Sequence, residues 1–493
     1  MSAGPGLGCR GTGVVLWWSS ARKVRLVVVK EEHYERSRWP FVKWSPPRII
    51  VAAFAGVILL GALLLTLPIS SSNGESIGFL NALFTATSAV CVTGLVVVDT
   101  GTRFSTFGQV VIMGLIQVGG LGIASAASLA LILGRRITLR ERILLQQSLN
   151  QETLRGVVRL TRFVLITTLI VECVGTLLLA IRFVPIWGWT KGLYFALFHA
   201  ISAFNNAGFD LMGNYRSFLD FQTDPLVLLV VAGLLIVGGI GFPVIFDLHR
   251  RLFRARQRDR AEERGEGRLF LHTQVVLVTT LVLLVVGTLA ILLLEAANPE
   301  TLGHLSFPYK LLNAFFQAAV PRTAGFNSVP IGALGEGTLF LLVILMYIGA
   351  SPASTGGGIK TSTFAAIVSG IWSTIRGYDE VTIRERRLAR GILDRALAVA
   401  FMGLALIVTV TILLTITEGS RFEFIQLLFE TTSAFGTVGL STGITPQLSA
   451  AGRLLIIMTM FLGRVGPLTF AMALAGRERQ VAVHYPEESV IIG

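Results

Sequence analysis

The residues whose types and spacing could do chemistry here are glycines and the backbone around them. Four short segments share one design: Ser88-Ala89-Val90-Cys91-Val92-Thr93-Gly94-Leu95, Ser202-Ala203-Phe204-Asn205-Asn206-Ala207-Gly208-Phe209, Ala318-Ala319-Val320-Pro321-Arg322-Thr323-Ala324-Gly325-Phe326 and Ser433-Ala434-Phe435-Gly436-Thr437-Val438-Gly439-Leu440. Their glycines recur at nearly fixed intervals (208 − 94 = 114, 325 − 208 = 117, 439 − 325 = 114). A period this long marks an internally duplicated architecture. Each copy follows a short, moderately apolar segment and precedes a polar stretch and a long apolar run. Four such loops suit a ring of backbone carbonyls around one axis, which replaces the hydration shell of a cation. Glycine reaches backbone conformations closed to other residues and lets ion and backbone approach closely. The candidate filter residues are Val92, Thr93, Gly94, Asn206, Ala207, Gly208, Thr323, Ala324, Gly325, Thr437, Val438 and Gly439. Four helix–helix turns that need glycine are the plainer reading. The recurrence of each loop between a short helix and a full span favours the filter.

A second group could obstruct a cation path. The run Gly349-Ala350-Ser351-Pro352-Ala353-Ser354-Thr355-Gly356-Gly357-Gly358, with Lys360 close behind, interrupts an apolar segment. Broken helices at membrane depth usually line a cavity, so the run reads as a flexible plug, against a packed kink. A phosphate-binding loop needs glycine directly before its lysine, and Ile359 stands there instead. Arg464 lies near the middle of an apolar run, where a charge is a functional hypothesis by default. It could meet carbonyls of the interrupted run. Glu172, also in an apolar run, reads as structural pairing, and Arg322 as a brace beside the third loop. His199 and Glu430 fall in short helices, where they would hydrogen-bond the backing of the loops. Asp99 and Asp210, just beyond two loops, could concentrate cations at a mouth. A membrane enzyme would want clustered His, Asp or Glu at depth, and these acids are dispersed.

Such loops need rigid apolar elements to position them, and composition supplies them. The 493 residues are 53% hydrophobic and 14% charged, well below the charge of an ordinary soluble domain. Long charge-free apolar runs make this an all-α polytopic membrane protein. The net charge of +13 sits in the connections between runs, which fits the positive-inside rule better than nucleic-acid binding. Cys9, Cys91 and Cys173 are too few and too scattered for a disulfide framework or a zinc site. The apolar patch Val14–Trp18 is too short for a span and lacks the flanks of a signal peptide.

Taken in order, residues 1–48 form a basic, cytoplasmic N-terminal segment. Four outer helix–pore helix–inner helix repeats follow, over 49–134, 135–249, 250–375 and 376–493, the last with the C-terminal tail. The outer helices are expected near Ile49–Pro68, Phe163–Ile181, Phe270–Leu294 and Ala396–Ile416. The first of these would be about 30 Å long, one hydrocarbon thickness. The pore helices are expected over Phe79–Val90, Gly192–Ala203, Pro308–Ala319 and Phe422–Ala434, each too short to span. The inner helices are expected over Phe104–Gly134, Pro225–Phe246, Thr338–Ile375 with its interruption, and Leu454–Ala475. Arginine-rich connections at Arg135–Arg162, Arg250–Arg268 and Arg376–Arg395 face the cytoplasm. Eight transmembrane spans and four re-entrant loops then surround a pseudo-fourfold pore, with both termini cytoplasmic.

These residues resemble the Trk/Ktr/HKT superfamily of potassium transporters, and most closely its Ktr-type membrane subunits. The match covers about Pro46 to Gly493. Its most specific pieces are Ala86–Leu95, Ser202–Asp210, Arg322–Phe326, Gly463-Arg464-Val465-Gly466-Pro467 and Tyr485-Pro486-Glu487-Glu488. The resemblance implies K+ uptake, often stimulated by Na+; the filter residues would then hold K+, and the intramembrane run with Arg464, read above as a plug, would gate it. It implies a homodimer in the plasma membrane and a cytosolic ring of RCK-domain subunits that brings the nucleotide. Channel-like conduction and ion-coupled symport stay open, as does Na+ preference.

Overall fold

The computed structural model describes residues 46–122, 157–254, 269–378, 380–384, 386–389 and 391–475. The basic N-terminal segment, most of the Arg135–Arg162 connection, the Arg256–Arg268 stretch and the tail near Tyr485 lie outside the described residues.

Helix α1 (Pro46–Thr66) opens on two prolines, where a missing N–H leaves nothing unsatisfied. It is followed by α2 (Phe79–Val90), the short α3 (Thr100–Arg103) and α4 (Thr106–Leu121). The second set is α5 (Val157–Trp187), α6 (Trp189–Phe204), α7 (Pro225–Gly239) and α8 (Phe242–Arg254). The third is α9 (Leu271–Glu295), α10 (Phe307–Ala319), α11 (Glu336–Tyr347) and α12 (Thr361–Ile375). A small antiparallel hairpin, β1 (Thr382–Ile383) with β2 (Arg386–Arg387), leads to the fourth. That set is α13 (Ile392–Glu418), α14 (Phe424–Gly436), α15 (Ala450–Val465) and α16 (Pro467–Ala475).

Among the described residues, α1, α5, α9 and α13 are long and apolar enough to cross a membrane. Their outward faces stay apolar: Leu177, Leu281, Leu293, Phe401 and Ile416 are all exposed. In water such a surface would aggregate; in a bilayer it meets lipid. Each of these helices packs on the short helix that follows it, α2, α6, α10 and α14. One phenylalanine in each short helix, Phe84, Phe198, Phe316 and Phe429, is completely buried. Each short helix also leans on a helix of the preceding structural unit, in a closed cycle. Helix α4 packs on α6, α7 on α10, α11 on α14, and α15 back on α2.

Two expected inner helices are not continuous. Pro225–Phe246 breaks between α7 and α8, which meet at 98°, and Leu454–Ala475 breaks between α15 and α16, at 92°. Both breaks fall on a glycine with positive φ, Gly241 at 93° and Gly466 at 89°. At the second, Pro467 follows directly and cannot continue the i→i−4 ladder. Apolar composition carried both readings across these points; backbone freedom at the glycine decided otherwise. Counted as bent spans, the pairs raise the candidate spans from four to six.

Candidate functional site

The four short helices end at the four glycine loops, and the loops share one backbone signature. The residue two before each glycine has positive φ: Val92 at 57°, Asn206 at 59°, Thr323 at 77° and Thr437 at 50°. The glycines are positive too, Gly94 at 92°, Gly208 at 70°, Gly325 at 69° and Gly439 at 92°. The residues between, Thr93, Ala207, Ala324 and Val438, are not. Alternating the sign of φ turns successive carbonyls toward one side, whereas an ordinary strand points them alternately. Three of the four positive-φ residues before the glycines are β-branched, for which this region is strained by about 1–3 kcal/mol each. Surrounding structure must hold them there.

The glycines stand in a ring. A β-carbon on Gly94 would lie 2.5 Å from the Ala207 carbonyl oxygen, one on Gly208 2.7 Å from that of Ala324, and one on Gly325 2.7 Å from that of Val438. One on Gly439 would strike the Thr93 carbonyl oxygen and close the circle. The four glycines and the residues directly before them, Thr93, Ala207, Ala324 and Val438, are therefore brought together.

Backing hydrogen bonds tie the loop amides to the short helices and leave the amides of these residues satisfied. Thr93 N donates to Ser88 O at 2.8 Å, Ala207 N to Ser202 O at 2.7 Å, and Val438 N to Ser433 O at 2.8 Å. The serine hydroxyls add to this. Ser88 Oγ accepts from Gly94 N at 3.0 Å and Ser433 Oγ from Gly439 N at 3.1 Å, while Ser202 Oγ donates to Phe209 O at 2.7 Å. The serine recurs in three of the four sequence segments, a signal for this backing role that the glycine spacing alone does not carry. His199 Nδ1 donates to Phe195 O at 2.7 Å, and its Nε2 accepts from Leu211 N at 3.3 Å, behind the second loop. Glu430 receives the Thr445 hydroxyl behind the fourth. Arg322 is buried, yet its guanidinium Nε and Nη2 have no hydrogen-bond partner among the described residues. Its carbonyl makes the cross-loop contact instead, accepting from Asn206 Nδ2 at 3.3 Å.

The run from Gly349 to Gly358 lies directly against the loops. A β-carbon on Gly356 would strike the Thr323 hydroxyl, and one on Gly357 that of Thr437. Thr355 Oγ1 donates to Asn206 Oδ1 at 3.0 Å and to Phe204 O at 3.2 Å. Ser351 N reaches Gly239 O at 3.0 Å, and Phe242 N reaches Ala353 O at 3.0 Å, which explains why α7 stops where it does. A β-carbon on Gly349 would strike the Gly357 carbonyl, and Ala350 N donates to the same oxygen at 3.2 Å. Ser351 and Thr361 share a hydroxyl contact at 2.9 Å, and Ser354 Oγ donates back to Ser351 O at 2.6 Å. Pro352 presents its carbonyl to Gly241, and a β-carbon there would come within 2.6 Å of it. A β-carbon on Gly358 would lie 3.0 Å from the Gly349 Cα, which closes the run on itself. Lys360 Nζ caps Gly356 O at 2.8 Å and Gly357 O at 3.3 Å. Arg464 spans the gap: Nη1 donates to Thr355 O, and Nη2 donates to Gly119 O and to Gly120 O.

On the opposite side of the ring a cavity of about 510 Å³ is floored by Gly94, Gly208, Gly325 and Gly439. Asp210 lines it, and burial pushes this carboxyl up to about 7, with Asp99 adding to the push. Asp99 itself is engaged elsewhere, accepting Thr102 N and Tyr215 N, each at 2.8 Å. Glu172 is paired as expected of a structural acid, but with amides: Asn205 Nδ2 at 3.0 Å and Gln117 Nε2 at 3.3 Å.

Long apolar helices around converging backbone loops define a polytopic membrane protein of the transport class. Residues 27–480 match the TrkH family, described as cation transport proteins, and the chain belongs to that family. It is 45% identical over 455 residues to the Ktr system potassium uptake protein B of Bacillus subtilis, covering 92% of this chain and 98% of that one. The protein of the same name from Vibrio alginolyticus is 43% identical, over 92% of this chain and 96% of its own. The potassium/sodium uptake protein NtpJ of Enterococcus hirae is 38% identical, over 91% and 97%. The potassium transporter TrkH of Vibrio parahaemolyticus shares the fold, with a TM-score of 0.67 at 16% identity over 89% of this chain and 86% of that one. Family membership makes this chain a membrane transport protein rather than a membrane enzyme.

Proposed function

We propose that the chain is a potassium-uptake subunit whose four loops form one selectivity filter. The observation that carries this reading is the closed circle in which each loop glycine abuts a carbonyl of a neighbouring loop. Such a ring offers a dehydrated cation oxygens from all sides. The buried Thr93 and Thr437 hydroxyls, without a hydrogen-bond partner among the described residues, are further oxygens suited to a cation. The short helices aim their C-terminal ends, with partial negative charge, at the same point. The names of the Ktr relatives supply the ion, K+.

On this reading the run Gly349–Gly358 is the gate, clamped by Lys360 and Arg464. It would have to leave the Thr323 and Thr437 hydroxyls for ions to pass. The architecture becomes eight spans in four repeats when α11 with α12 counts as one broken span and the first repeat, like the others, supplies a second span. Both termini then lie in the cytoplasm, and the protein sits in the plasma membrane as a homodimer. A cytosolic ring of RCK-type subunits supplies the nucleotide response. Sodium enters as a stimulating ion, and the name of NtpJ favours a second reading in which Na+ is also carried.

Purified protein in liposomes tests the proposal through K+, Rb+ and Na+ fluxes measured side by side. K+ and Rb+ should pass far faster than Na+. Equal rates for K+ and Na+ would remove the filter.

A further inference from the structure

Glu172 sits at the middle of the 31-residue α5, 5% exposed, and the filter reading does not use it. Among the described residues it meets amides rather than a cation. Asn205 Nδ2 donates to Oε1 at 3.0 Å and Gln117 Nε2 to Oε2 at 3.3 Å. Asn205 Nδ2 also donates to Gln117 Oε1 at 2.9 Å, which closes a triangle of side chains from α5, α4 and the end of α6. A buried carboxylate is costly unless its oxygens are satisfied, so this triangle is a constraint on all three members.

The constraint reaches the ring through one peptide bond. Asn205 caps α6, and the next residue, Asn206, begins the second loop with φ at 59°. The two asparagines divide the work. Asn205 points outward to Glu172, and Asn206 donates inward to Arg322 O at 3.3 Å and Thr323 Oγ1 at 3.4 Å. Asn206 Oδ1 accepts from Thr355 of the interrupted run at 3.0 Å. Asn205 is also wedged against α4. A β-carbon on Gly120 would strike its Oδ1, and the Gly120 carbonyl holds Arg464 at 3.2 Å. Any swing of Asn205 therefore shifts the left-handed residue beside it.

We infer that Glu172 is a positioning residue for the second loop: its carboxylate fixes the Asn205 side chain and thereby the place of Asn206, Ala207 and Gly208 in the ring. Both partners present N–H groups to it, so acceptor geometry is what matters. Charge alone would not suffice. This rests on the filter reading.

The test is K+ over Na+ discrimination in liposomes for wild type, Glu172→Asp, Glu172→Gln and the swap Glu172→Gln/Gln117→Glu. Aspartate keeps the charge and withdraws the acceptor by one methylene. Glutamine turns a donor toward a donor. The swap rebuilds the triangle with the carboxylate on α4. Each single variant should lose discrimination by about tenfold, the effect of one charge-assisted hydrogen bond, and the swap should return to within about twofold of wild type. Where Glu172→Gln gives no folded protein, Glu172→Asp and the swap carry the comparison. Single variants that keep the wild-type ratio, even with lower yield or melting temperature, overturn the inference, as does a swap that fails to restore it. Wild-type protein without K+ preference overturns the filter reading and this inference together.

Discussion

Gly439 stands against the Thr93 carbonyl and Gly94 against that of Ala207, both glycines at φ of 92°. Serine at either site adds a side chain where a neighbouring carbonyl already lies, in a conformation that disfavours L residues by about 1–2 kcal/mol. Gly94→Ser and Gly439→Ser should each lower K+ over Na+ discrimination or stop transport, read as isotope uptake by well-expressed protein; unchanged selectivity at both would contradict the ring. Asp210 offers a prediction of known sign. Its carboxyl, raised to about 7 by burial and then by Asp99, is charged above that pH and neutral below it. Uptake at low external K+ should therefore fall as external pH drops from about 8 to about 6, because the mouth loses its attraction for cations. Asp210→Asn should lie near the low-pH rate and respond little to pH. An unaltered profile would assign the titration to another group.

The short helices and loops were legible because duplication writes them four times, with glycine at a fixed place. What surrounds them was less so. Breaks in α7/α8 and α15/α16 come from single glycines inside apolar runs, and hydropathy does not register them. The docking of Thr355 on Asn206, or of Glu172 on Asn205, joins residues far apart in sequence and has no local pattern. Glu295 and Glu418 were missed for the same reason. Each ends an outer helix and receives the start of an inner one. Glu295 accepts Gly335 N at 3.0 Å, Thr338 Oγ1 at 2.5 Å and Thr301 Oγ1 at 2.7 Å; Glu418 accepts Ser449 N and Oγ. Glu295→Ala leaves several buried donors unpaired and should destabilise the protein by about 2–4 kcal/mol, seen as a lowered melting temperature in detergent. An unmoved melting temperature would show that water replaces the carboxylate. The interrupted run makes its own prediction. Arg464→Ala frees Thr355 O, and deletion of residues 350–357 removes the segment altogether. Both should raise basal K+ flux and weaken control by any regulator, and unaltered flux in both would move the obstruction elsewhere.

At the scale of the molecule, α2, α6, α10 and α14 and the helices between them form a closed cycle of contacts, and the loops they carry meet at one centre. On the proposed reading an open ring of this kind would dissipate a potassium gradient, and the run against it is where control would act. The arginine-bearing hairpin follows α12, the helix that leaves that run, and Arg384 ties it to Gln274 of α9 at 2.8 Å; on the proposed reading it is a handle for a cytosolic regulator. Charge reversal at Arg386 and Arg387 should weaken co-purification with an acidic cytosolic regulator, more so at low salt, where exposed charge contacts are strongest. Retention at wild-type levels would place docking elsewhere. The central claim, one filter built from four loops, is tested most directly by locating a heavy potassium analogue in crystals of the protein grown in Rb+. Anomalous scattering peaks should lie on the axis, ringed by carbonyls of residues 92–94, 206–208, 323–325 and 437–439. Rb+ bound only at side chains elsewhere, with nothing inside the ring, would contradict it.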